Sequence, residues 1–143
     1  MQLYVGTSGY SYDEWKGSFY PEDLPAKRML SYYAERLSSV EINNTFYRLP
    51  KGSVLEGWAD QVPEDFRFSI KASRRITHFA RLKPEAREPT EYMMSALTSL
   101  GTRLGVVLFQ LPPNLKAEVD RLVAFLDLLP PGTPAAFEFR HES

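Results

Sequence analysis

At 143 residues, 43% of them hydrophobic and 24% charged, the chain has enough apolar surface for one domain with a packed core and too much for a disordered segment. A formal net charge of −1 excludes a broad electrostatic hold on nucleic acid or anionic membrane, and leaves only a local basic stretch around Arg74, Arg75 and Arg81. Without cysteine there is no disulfide, thiolate metal site or thiol nucleophile, and no run approaches the ~20 apolar residues of a membrane span.

Residues 2–6 (QLYVG) read as the first strand, with no basic, apolar leader before them, so a cytoplasmic protein is expected. A long loop of Gly, Ser and aromatics runs to Pro25, and the helix predicted over 26–38 has Leu30, Tyr33, Ala34 and Leu37 on one stripe. Strand 39–43 follows. Residues 51–61 read as a helix with Val54, Leu55, Trp58 and Val62 on one face and Ser53 as its cap. Strand 66–71 leads through an Arg-rich loop to a helix over 86–101 that carries Tyr92, Met93, Ala96, Leu97 and Leu100, with Gly101 at its end. Strand 105–110 stops before Pro112-Pro113. An amphipathic helix over 116–129 then turns Val119, Leu122, Val123, Leu126 and Leu129 inward, and PPGTP leads into strand 135–140.

Five apolar strands alternating with four helices predict an α/β protein with a parallel sheet and right-handed crossovers. An open doubly wound sheet and a (β/α)8 barrel both fit this alternation. The strand ends tip the expectation toward a TIM-type barrel, because VEIN (40–43), FSIK (68–71), VVLFQ (106–110) and FEFRHE (137–142) all finish on polar residues. Alternation puts Glu41 with Asn43, Ser69 with Lys71, and Glu138 with Arg140 on one face, opposite Val40, Ile42, Phe68, Ile70, Phe137 and Phe139. One face packs on helices and the other carries a polar site.

Glu41 and Glu138 are the candidate acid/base pair, since carboxylates in a low-dielectric barrel mouth exchange protons or hold a divalent cation. The competing reading is an interior ion-pair network with Lys71 and Arg140. Lys71 is a candidate anion clamp or Schiff-base amine, with a plain ion pair to Glu41 as the ordinary alternative. Asn43, Gln110, Arg140 and His141 are candidate substrate contacts at the same rim. Glu138 and His141 are three apart on an extended segment and point to opposite faces, so the helical metal-pair argument fails; joint ligation by Glu41, Glu138 and His141 is the one metal option left.

The first loop carries Tyr10, Tyr12, Trp15, Phe19 and Tyr20, either as a stacking platform for a sugar or nucleobase or as anchors of the loop, with Trp15 the candidate ligand contact. Ser8 lies in a GTSG turn whose backbone N–H groups suit an anion, although the turn matches neither the P-loop nor the dinucleotide fingerprint.

The segments GTSGYSYDEWKGSFYP (6–21), VEINNTFYRLP (40–50), LFQLPP (108–113) and FEFRHES (137–143), with FSIKA and ITH between them, resemble the DUF72 (YecE-like) family in order over essentially the whole chain. The resemblance implies a TIM-type barrel and no assigned reaction. It implies recurring positions at Gly6, Thr7, Ser8, Gly9, Trp15, Glu41, Asn43, Phe46, Tyr47, Lys71, His78, Gln110, Pro112, Glu138, Arg140 and His141. A TIM barrel takes ~250 residues, so a barrel truncated after about the fifth strand is expected, with self-association through its open sheet edges. The leading functional expectation is a small-molecule hydrolase, lyase or isomerase for a polar, sugar-like or phosphorylated substrate. Its rivals are a non-catalytic ligand- or nucleic-acid-binding module built on the first loop with Arg74 and Arg75, and a fragment inactive by itself.

Overall fold

In the computed structural model, which describes residues 2–143, five strands form one parallel sheet in the order β1-β2-β3-β4-β5. They are β1 (Gly6–Ser8), β2 (Ser39–Ile42), β3 (Arg67–Lys71), β4 (Leu104–Gln110) and β5 (Ala135–Glu138). Helices α1 (Met29–Ala34), α2 (Asn44–Tyr47), α3 (Gly52–Ala59), α4 (Arg87–Leu97) and α5 (Val119–Leu126) lie in the connections. The protein is α/β, as the alternation of apolar runs predicts.

Each strand pairs with the next in the chain, without the reversal that places helices on both faces of a doubly wound sheet. Burial follows from that order. Val40, Ile42, Phe68, Ile70, Val107 and Phe109 lie under the helices, each at most 4% exposed. The alternate positions Glu41, Ser69, Lys71, Leu108, Gln110 and Glu138 are only half-buried. Tyr33, Leu55, Phe66, Met93, Leu97 and Phe125 complete the helix-side core.

Several boundaries differ from expectation, each for a local reason. β1 begins at Gly6 rather than residue 2 because its ladder partner β2 begins at Ser39, opposite Gly6. Val5 reaches across ahead of the ladder, its carbonyl accepting the Ser38 and Ser39 N–H groups at 3.1 Å each and its N–H donating to Ser38 Oγ at 2.9 Å. Gly6 is required there: a Cβ would stand 1.8 Å from the Ser39 carbonyl oxygen. β5 stops at Glu138 because β4, its only neighbour among the described residues, stops at the paired Gln110 ahead of Pro112.

The helices are shorter than their apolar patterns. The expected 26–38 segment opens with a 3-10 turn, Ala26–Arg28, before α1. In α3 the cap position falls on Lys51, so Ser53 does not cap it, and Val54 faces solvent while Trp58 stacks on Phe68. After α4 the chain tightens into a 3-10 segment, Thr98–Arg103, which Gly101 breaks with φ +53°. α5 shows the largest departure: Val119, Val123 and Leu126, expected inward, are 71%, 52% and 42% exposed, and Phe125 is its buried anchor. The short α2 has no apolar periodicity and is absent from the sequence reading.

Candidate functional site at the strand ends

The parallel register stacks the polar strand ends into rows on the face that carries no helices. Ser8, Glu41 and Ser69 form one row, and Gln110 pairs with Glu138 at the other side. Asn43 donates from Nδ2 to Ser8 Oγ at 2.6 Å, and Ser8 Oγ donates to Glu41 Oε1 at 3.0 Å. Gln110 Nε2 donates to Glu138 Oε2 at 2.8 Å, and Arg140 Nε lies 3.7 Å from Glu138 Oε1. Each carboxylate is thus oriented by a neutral donor, and the second also has a loose cationic neighbour.

Lys71 stands between these two groups. The expected ion pair with Glu41 does not form, nor does one with Glu138; Nζ sits 5.0 Å from the centroid of the Phe46 ring instead. The placement of Phe46 is fixed by α2. The buried Thr45 hydroxyl donates to the Lys71 carbonyl at 2.6 Å and shares its proton with the Ile42 carbonyl at 3.1 Å, tying the ends of β2 and β3 together next to Phe46 in the chain. On the other side of Phe46 the His78 imidazole stands edge-on, 5.0 Å between centroids. Its Nδ1 is 2.8 Å from Thr77 Oγ1.

Burial, then the nearby charges of Arg140, Lys71 and Arg81, hold His78 below the ordinary imidazole value. Cations from the end of β3, the connection after it and the segment past β5 therefore act on one ring. Arg81 is held rigidly, donating to both the side-chain and backbone oxygens of Asn114 at 2.9 and 3.0 Å. Around it the backbone is strained: Arg75–Phe79 forms a π turn, and Arg81 and Leu82 both take φ near +60°. Fixed carboxylates beside incompletely neutralised cations are the groups that anion binding and proton transfer would each require.

The family model described as protein of unknown function DUF72 matches residues 4–143. The chain belongs to the DUF72 family. Among its DUF72 relatives, the UPF0759 protein YecE of Escherichia coli (strain K12) is 32% identical over 140 residues, which are 97% of this chain and 48% of that protein. The UPF0759 protein YunF of Bacillus subtilis (strain 168) is 27% identical over 148 residues, 99% of this chain and 51% of that one. The crystal structure of a DUF72 protein from Thermotoga maritima MSB8 superposes with a TM-score of 0.73 at 33% identity, over 95% of this chain and 55% of the other. A DUF72 structure from Enterococcus faecalis V583 gives 0.74 at 22% identity, over 96% and 50%, a likeness of fold alone. The chain spans about half the length of the curated DUF72 relatives it matches.

Within this DUF72 chain, then, Glu41, Lys71 and Glu138 lie on the open face, as alternation predicts, and Ser8 and Gln110 join them there; Asn43 and Arg140, past the ends of β2 and β5, reach that face through Ser8 and Glu138. His141 does not join them. It shares parity with Phe137 and Phe139, and lines a separate groove with Leu111, Leu115, Leu122 and Phe139, its Nδ1 3.0 Å from Ser143 Oγ. The metal option fails for the same reason, since no group of three or more His, Cys, Asp or Glu gathers among the described residues.

Trp15 takes the anchor role. It packs on Tyr12 (4.8 Å) and Phe19 (5.7 Å), and its carbonyl accepts the N–H groups of Ser18, Phe19 and Tyr20. The phenol of Tyr20, in the same cluster, is pushed up to about 12 by burial, with Tyr33 and Tyr10 adding to it. Nor is the GTSG backbone free for an anion: the Thr7 N–H donates to Tyr33 and the Gly9 N–H to the Glu41 carbonyl. Phe46, His78 and Arg81 are the site residues that strand parity missed. They lie in α2, the π turn and the strained residues just after it, where no periodicity reports direction; the unbroken absence of acidic residues from Lys71 to Lys83 was the available signal for His78 and Arg81.

Proposed function

We propose that this DUF72 chain forms the first five strands of a (β/α)8 barrel and binds a small, polar, anionic substrate at their C-terminal ends for acid/base chemistry. The unreversed strand order supports the barrel, since the fold places its site at that rim. The observation that carries the functional reading is the pairing pattern. Glu41 and Glu138 are oriented by Ser8 and Gln110, whereas Lys71, Arg140 and Arg81 keep positive charge around His78. Lys71 and Arg140 hold the anion, and Glu41 and Glu138 move protons on the bound molecule. Hydrolysis, elimination and isomerisation of a phosphorylated or carboxylated sugar-like compound all use that division of labour.

The test is a thermal-shift titration of the chain with inorganic phosphate and a panel of phosphorylated and carboxylated sugars. Stabilisation by these anions that is lost in Lys71→Met and Arg140→Met is the expected result. For any compound turned over, Glu41→Gln or Glu138→Gln lowers kcat by about 10²–10⁴-fold, the usual worth of a positioned proton-transfer group, with binding retained. Binding that survives removal of both cations, or turnover that survives removal of both carboxylates, overturns the proposal.

A further inference from the structure

Beside the rim lies a second surface that the acid/base reading does not use. Tyr47 is 66% and Phe79 68% exposed, so two aromatic rings present most of their surface to water. Between them is Arg74, whose guanidinium carbon lies 5.3 Å from each ring centroid. Three flat groups, ring, guanidinium and ring, are thereby held side by side at the surface. The segment that carries Arg74 and Phe79, Lys71–Lys83, contains five Lys or Arg residues and no acid, in a chain whose net charge is −1.

The support is rigid. Phe46 meets Tyr47 edge-on at 5.0 Å, Ile76 and Thr77 of the π turn that presents Phe79 are fully buried, and buried Thr45 ties α2 to the end of β3. The charge is directional as well. The depression on the far side of Phe79 mixes Arg75 and Lys83 with Glu85 and Glu88, so the unopposed charge lies on the Arg74 side, continuous with Lys71 and Arg81.

We propose that the Tyr47–Arg74–Phe79 surface binds a nucleotide unit, its flat base stacked on an aromatic ring and its phosphate on Arg74. Aromatic faces accept any base, and a guanidinium offers both a stacking plane and paired N–H donors for phosphate. Phosphate alone would need the charge but not two exposed rings, whereas an apolar partner would need the rings without the guanidinium. The shared chemistry fits both a free nucleotide and a stretch of single strand. It does not rest on the acid/base reading, because none of the three residues contacts Glu41 or Glu138.

The test is fluorescence anisotropy of the full chain with a labelled, mixed-sequence single-stranded decamer, alongside AMP followed by NMR line broadening. Binding of either ligand at low salt is expected, weakened roughly 5- to 100-fold by Tyr47→Ala or Phe79→Ala, as loss of a base stack requires. Tyr47→Phe restores it, and Glu41→Gln leaves it unchanged. If the strand is bound, Arg74→Ala lowers the salt slope by about one; if AMP alone binds, the site serves a small molecule. No binding of either at low salt, or binding that ignores both alanine substitutions, overturns the proposal. Both aromatics are exposed, so the variants keep the circular dichroism spectrum of the parent.

Discussion

Single residues show how a patterned sequence becomes a fixed site. Tyr33 falls on the apolar stripe expected for its helix, and it is fully buried, yet its hydroxyl does polar work between strands. It accepts the Thr7 N–H at 2.8 Å and donates to the Ser39 carbonyl at 3.0 Å, so one phenol satisfies backbone groups on both β1 and β2. Tyr33→Phe keeps the ring and strands those groups, which should cost about 1–3 kcal/mol. Equilibrium urea unfolding reads this directly, and an unchanged midpoint would mean the hydroxyl is incidental. Strand parity made Glu41, Asn43, Lys71 and Glu138 legible in advance because period two fixes which way a side chain points. It could not supply distance, which is why the expected Lys71–Glu41 pair is replaced by Lys71 over Phe46.

At the level of elements, α5 is the informative case. Its periodicity is that of a helix buried along a whole stripe, but only Phe125 is enclosed, packed on Phe109 at 5.3 Å and Phe137 at 6.2 Å. Val119, Val123 and Leu126 face solvent, as does Phe139 beyond β5. Sequence periodicity reports which face is apolar and is silent on whether a neighbour covers it. An uncovered strip next to an unpaired strand edge predicts concentration-dependent self-association. Sedimentation equilibrium of the chain should show it, and Val123→Glu with Leu126→Glu should shift the population to monomer. Identical monomer masses for parent and double variant across concentrations would contradict this. Helix lengths were the least legible feature, because 3-10 turns at Ala26–Arg28 and Thr98–Arg103 share the composition of the helices they adjoin.

For the molecule as a whole, the decisive fact is the sheet order. Both an open doubly wound sheet and a barrel suit the alternation of strands and helices, and only the unreversed order distinguishes a sheet with one helix-covered face. That order leaves Ser8, Glu41, Lys71, Gln110 and Glu138 together on the other face, and loops from α2, the π turn and β5 bring Phe46, His78 and Arg140 to its rim. In the proposed function these groups form one anion-attracting site, and His78 reports on it. Held below the ordinary value of 6.5 by burial and by Arg140, Lys71 and Arg81, it stays neutral where an unfolded imidazole takes up a proton, so folding stability falls as pH drops through that range. The most direct measurement is an NMR pH titration of the chain's two histidines with and without inorganic phosphate. His78 should show a midpoint below 6.5 that rises when phosphate binds, while the His141 signals, in their separate groove, should not respond to the anion. A His78 midpoint at or above 6.5 that phosphate does not move would contradict it.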